Sequence, residues 1–149
     1  MKQCLGVAAV LFIATVASSQ DGDSKKDLKQ MEGTWKATMH EIDGKKTTEE
    51  EQKQADVKLV IKGGKYTVSF GGKVVGKGTV KLDATKKPRE VDAIATEGPG
   101  KDETMKGIYE LKGDEMRVCF AQPGKERPTE FRTKEGTGQM LLGYKRIKE

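Results

Sequence analysis

The chain has one histidine, one tryptophan and two cysteines among 149 residues, and aromatic residues make up only 5% of it. Each scarcity removes a class of chemistry. Cys4 lies within an apolar N-terminal leader, so a processed chain keeps only Cys119 and can close no disulfide within itself. One histidine and one cysteine at unrelated positions, His40 and Cys119, fall short of the ligand set of a zinc site. A catalytic histidine needs an orienting group and a nucleophile within reach, and His40 stands on the polar phase of its strand with neither in view. The few aromatics fall mostly on apolar phases, and bases are interleaved with acids, so nothing resembles a stacking surface for nucleic acid. Beyond the leader, no apolar run approaches the roughly 20 residues of a membrane-spanning helix. We therefore expect a non-enzymatic protein with no cofactor, no metal, no nucleic-acid partner and no membrane span.

Two local patterns could suggest otherwise. "GGKVVGKGT" (71–79) is rich in glycine and lysine, but it lacks the spacing of a phosphate loop and leads into no helix. Its glycines suit a tight hairpin and a curved sheet instead. The run Glu49, Glu50, Glu51 belongs to a helix start rather than to a glycosidase pair.

The leader itself, "MKQCLGVAAVLFIATVASS", has a basic start at Lys2, an apolar stretch from Leu5 to Val16, and small residues Ala17 and Ser19 before Gln20. That is the pattern of a secretory signal peptide (1–19) cleaved after Ser19. Cys4 precedes the apolar stretch, too early for acylation at a cleavage point. The expected product is exported, periplasmic or secreted, and not lipid-anchored. Loss of Lys2 with the leader takes the net charge from +5 to +4, spread over a mixed-charge surface. About 130 residues remain, enough for one domain with a core of its own.

Residues 20–30, "QDGDSKKDLKQ", are polar and are expected to form a mobile tether ahead of a domain spanning 31–149. From Thr34 onward, short alternating runs are divided by glycine turns, which predicts strands near 34–41, 57–62, 65–70, 73–82, 89–96, 104–111, 115–121 and 139–147. Gly63-Gly64, Gly71-Gly72 and Gly113-Asp114 fall between adjacent runs, where hairpins need positive φ angles. Thr48 followed by Glu51 makes a capping box, predicting a short helix from Thr48 to Gln54 between the first two strands. Eight short antiparallel strands and one early helix point to an all-β, up-and-down barrel, a closed sheet with no exposed edge. "TEFRT" (129–133) could add a strand; we read it as part of a long loop.

The alternation assigns an interior. Trp35 begins the first strand and shares its barrel end with Ile61, Tyr66, Val91, Leu111 and Met116. Strand parity brings Arg146 to the same end, where a guanidinium over the indole would close it. Toward the other end the inward phase places Met39, Val57, Phe70, Val74, Ala95, Met105, Phe120 and Met140, above a middle layer that includes Ala37, Ala93 and Gly107 with Tyr109 beyond. Large residues at the mouth over small ones in the middle suit a pocket for a small apolar or amphipathic molecule, and methionines adapt to varied apolar shapes. The same stripe also fits a solid core. In that case the loop Gln122–Phe131, "QPGKERPTEF", with Lys125 and Arg127 between prolines, becomes the place to bind a protein or a cell-envelope polymer.

"GTW" (33–35) together with a late arginine is similar to the G-x-W signature of lipocalins, although the T-D-Y block of that family has no counterpart. With "TEGPGK" (96–101), "GIYELKGD" (107–114) and "CFAQPGKERPTEF" (119–131) in order, the chain more closely resembles a family of small exported lipocalin-like domains multiplied in planctomycete bacteria. The resemblance runs from about Leu28 to Arg146. It implies an exported barrel with Trp35 and Arg146 at the closed end and an interior ligand site. The helix 48–54 and the loops 97–103 and 122–138 would then frame the mouth.

Overall fold

The computed structural model describes residues 19–148, with side chains from residue 22 onward. The predicted leader and its cleavage site precede or border that span, and Cys4 lies outside the described residues. The described chain forms helix α1 (Ser19–Met31), strands β1 (Gly33–Ile42) and β2 (Lys45–Lys46), helix α2 (Glu49–Ala55), and then strands β3 (Val57–Lys62), β4 (Lys65–Phe70), β5 (Lys73–Asp83), β6 (Arg89–Glu97), β7 (Thr104–Lys112), β8 (Glu115–Phe120) and β9 (Met140–Arg146). Each long strand pairs antiparallel with the next, and β9 returns to pair with β1, closing an eight-stranded up-and-down barrel. The two-residue β2 folds back on the end of β1. Residues 129–133 form no strand, so β9 runs toward the Trp35 end as parity requires.

Local chemistry explains the junctions. Gly63-Gly64 (φ 58° and 75°) and Gly71-Gly72 (φ 54° and 84°) adopt the left-handed backbone that two-residue hairpins need. The Thr48 side chain accepts from the Glu51 amide while the Glu51 carboxylate accepts from the Thr48 amide at 2.8 Å, so α2 starts with a complete capping box.

Segment 20–30 is no tether. It belongs to α1, whose Ser24, Asp27, Leu28 and Met31 recur at helical spacing toward the closed end of the barrel. The segment is polar overall, but this stripe is anchored residue by residue. Met31 is buried, Ser24 Oγ accepts from the Ala84 amide, and the buried Asp27 carboxylate accepts from Tyr109 Oη at 2.7 Å and Arg89 Nη1 at 2.8 Å.

At this end Trp35 is completely buried. Its indole N–H donates to the Met31 carbonyl at 2.8 Å, and Arg146 Cζ stands 4.3 Å from its ring centroid. The Arg146 guanidinium also donates to the Gln30 and Glu32 carbonyls, satisfying backbone acceptors at the end of α1. Gly33 explains the first letter of "GTW": a Cβ there would lie 2.6 Å from Arg146 Nη1, and its φ of 130° disfavours other residues. One indole and one guanidinium thus fasten the floor of the barrel to its wall.

Candidate ligand cavity

Inside the barrel, inward residues of all eight long strands form a core around Trp35, Leu59, Ile61, Val91, Tyr109, Met116, Val118 and Tyr144. They do not fill it. A cavity of about 200 Å³ extends from Met31 near the floor to Glu97 and Pro99 at the rim, and a second of about 280 Å³ lies under α2 at the mouth. Val68, Met105, Leu142 and Tyr144 line both, so the two spaces are neighbours sharing a wall. The mouth has an apolar collar in Ile42, Phe70 and Val75, all substantially exposed.

Of the residues assigned to the pocket from sequence, Ala93, Ala95, Met105 and Phe120 line the inner cavity, and Val57, Phe70, Met105 and Met140 line the mouth. Four are placed elsewhere. Between Ala37 and Met39 the β1–β9 register shifts: Ala37 pairs with Tyr144, but Met39 pairs with Gly143, leaving Thr38 as the extra residue of a bulge. Pairing partners share a face, so Met39 turns outward and His40, paired with Leu142, turns into the mouth. Another bulge lies between β4 and β5, where Val68 pairs with Gly76 and Ser69 with Val74. Val74 is therefore outside and 57% exposed, and the extra residue Val75 lines the cavity instead. Gly107 keeps its inward phase but is roofed by Phe120, whose ring would stand 2.6 Å from a Cβ. Tyr109 is spent on the floor, bonded to Asp27.

The reading of the long loop also needs correction. No residue of 122–138 lines either cavity; residues 133–138 bond to the turn after β1, and the part around Arg127 and Phe131 lies across the outside of the barrel as a strap. Arg127 reaches the sheet from it, donating to the Val91 carbonyl at 2.9 Å, the Gly107 carbonyl at 2.8 Å and Asp92 Oδ1 at 2.7 Å. This guanidinium is engaged by the sheet, while Lys125 remains exposed. Phe131 packs over an outer apolar cluster of Ile108, Cys119 and Leu141, joined there by Met39. Arg117 lies 4.4 Å above the Phe131 ring. Thr133 is buried, donating to Glu41 at 2.6 Å and accepting from the Gly44 amide. Cys119 is fully buried, and burial pushes its thiol pKa up, away from reactive thiolate. The loops that do border the cavities are α2 with Thr47 before it, and 97–103 through Pro99.

Polar groups around the cavities are few. At the mouth, Thr47 Oγ1 donates to the His40 carbonyl and Gln52 Nε2 to the Thr47 carbonyl. The His40 ring faces the same space, and partial burial lowers its pKa, favouring the neutral imidazole. Burial raises the Tyr66 and Tyr144 phenols, which stay protonated. Among the described residues, Glu51 at the mouth and Glu97 at the rim are the carboxylates on the lining, and no lysine or arginine is part of it. Such a lining can hold an apolar skeleton and offer a few hydrogen bonds to a polar group carried on it. Comparison of the chain with protein-family models and with curated proteins finds no match.

Proposed function

We propose that this protein is an exported carrier that holds a small, uncharged and mainly apolar molecule inside its barrel without transforming it. The observation carrying the proposal is the pair of adjoining apolar cavities in a barrel whose wall and floor are otherwise closely packed. Export rests on the leader and its small-residue cleavage pattern. The resemblance to exported lipocalin-like domains points the same way. The cavity sizes suit a compact ligand, since an apolar cavity of roughly 150 Å³ is known to accept benzene.

The test uses N-phenyl-1-naphthylamine, a neutral fluorescent probe. Binding is expected at roughly micromolar Kd, equivalent to about −8 kcal/mol. Ala93 is buried on the wall of the inner cavity. Ala93→Phe should fill ligand space and weaken the probe tenfold or more, leaving the thermal midpoint near wild type. Absence of binding in both proteins, with Ala93→Phe destabilised by about 1–3 kcal/mol as overpacking causes, would refute the carrier reading. A solid-barrel module acting through Gln122–Phe131 would then take its place.

A further inference from the structure

Tyr144 is nine-tenths buried, with 7% of its surface exposed, and lines both cavities from the wall they share. Among the described residues its hydroxyl has no hydrogen-bond partner. Every fully enclosed side-chain oxygen and nitrogen described is bonded, so this hydroxyl must open onto the cavity rather than sit sealed in protein. The contrast with Tyr109 is direct: that phenol is also buried, and its hydroxyl donates a hydrogen bond to the Asp27 carboxylate at 2.7 Å. A buried hydroxyl lacking a partner is costly to keep, and phenylalanine would fill the same space without the cost.

We propose that Tyr144 is the polar anchor of the ligand site, and that the ligand is an uncharged, mostly apolar molecule carrying a carbonyl or ether oxygen at its inner end. This rests on the carrier reading and deepens it. The phenol is a better donor than acceptor, and its burial keeps it protonated, so the complementary group is an acceptor. A carboxylate ligand is disfavoured: among the described residues no lysine or arginine lines the space, and Glu51 and Glu97 stand at its openings. His40 and Gln52 near the mouth can meet a second polar group at the outer end.

The experiment compares 1-indanone with indane, the same bicyclic skeleton with and without a carbonyl oxygen. Both are titrated into wild type and Tyr144→Phe, following backbone amide shifts by NMR. The quantity read is the ketone-to-hydrocarbon affinity ratio, which cancels the difference in hydrophobicity between the probes. It should fall at least fivefold in Tyr144→Phe, within the span of a neutral hydrogen bond. An unchanged ratio, with both probes still binding, overturns the anchor and leaves the carrier reading standing. Failure of both probes to bind wild type overturns the two together. The free proteins give an independent readout: Tyr144→Phe should melt no lower than wild type, because the hydroxyl makes no bond to the described residues that holds the fold. A lower midpoint would mean that the hydroxyl is engaged in holding the fold, and would overturn the anchor as well.

Discussion

Replacing Trp35 tests the floor of the barrel and, with it, the role of α1. The side chain is wholly buried, donates to the Met31 carbonyl and lies beneath Arg146. Truncation to alanine removes the largest side chain of the core, which costs about 3–5 kcal/mol in comparable sites. It also strips the Met31 carbonyl of its partner, worth about 0.5–1.5 kcal/mol, and takes the ring from under the guanidinium. These terms overlap, so Trp35→Ala should lose about 4–5 kcal/mol, a large part of the roughly 5–15 kcal/mol that holds a domain folded. Trp35→Phe keeps an aromatic ring but no donor, and should lose about 1–3 kcal/mol. Arg146→Ala removes the cover and the donors to Gln30 and Glu32, and should fall in that smaller range too. Because Trp35 is the only tryptophan, urea melts must be followed by far-UV circular dichroism. A Trp35→Ala protein within about 0.5 kcal/mol of wild type would refute the account of the floor.

Three other outcomes follow from contacts already described. Asp27→Ala should lose about 2–3 kcal/mol by leaving the Tyr109 hydroxyl unpaired and releasing Arg89, and should speed hydrogen exchange in α1; unchanged exchange there would show that α1 is held by other means. Phe131→Ala should speed modification of the Cys119 thiol tenfold or more in a chain prepared without residues 1–19, because the ring covers the cluster containing it; an unchanged rate would place the barrier elsewhere. His40 should titrate by NMR below its ordinary value of 6.5, since burial disfavours its charged form. The unfolded chain then binds the proton more readily, so this contribution to stability is present above pH 6.5 and declines as pH falls from there through the folded value. His40→Gln should remove that component, and a midpoint at or above 6.5 would contradict the placement of the ring.

The strands were legible because glycine turns mark several of their ends and apolar residues alternate with polar ones along most of them. Helix α2 was legible because Thr48 and Glu51 form its cap. What a period-two reading could not supply was the position of an inserted residue. The alternation was carried straight through Thr38 and Val75, and each extra residue reverses everything beyond it, exchanging Met39 for His40 and Val74 for Val75. The sequence did hold a sign of the strap: Ile108, Cys119 and Leu141 are apolar on the outward phase, a pattern that asks for cover. Helix α1 was hidden by its composition, because only Leu28 and Met31 of its inward stripe are apolar while Ser24 and Asp27 act through hydrogen bonds. Tyr144 was placed inward by phase, but only the atomic positions show that its hydroxyl is left over.

The strap makes the barrel mechanically lopsided. Strands β7, β8, β9 and the end of β1 are clamped between two apolar layers, the interior on one side and the Ile108–Cys119–Leu141 cluster on the other. Among the described residues, strands β3 to β5 have only the inner layer; Val60 and Val74 on their outer face stand at 41% and 57% exposure. Separating strands on the clamped side would wet two cores at once, whereas on the open side it would wet one. Thermal breathing should therefore concentrate between β3 and β5, next to the Val75 bulge at the cavity rim. If the barrel is the carrier proposed above, the outer cluster, remote from both cavities, would thus decide which seam of the wall yields when a molecule passes in or out.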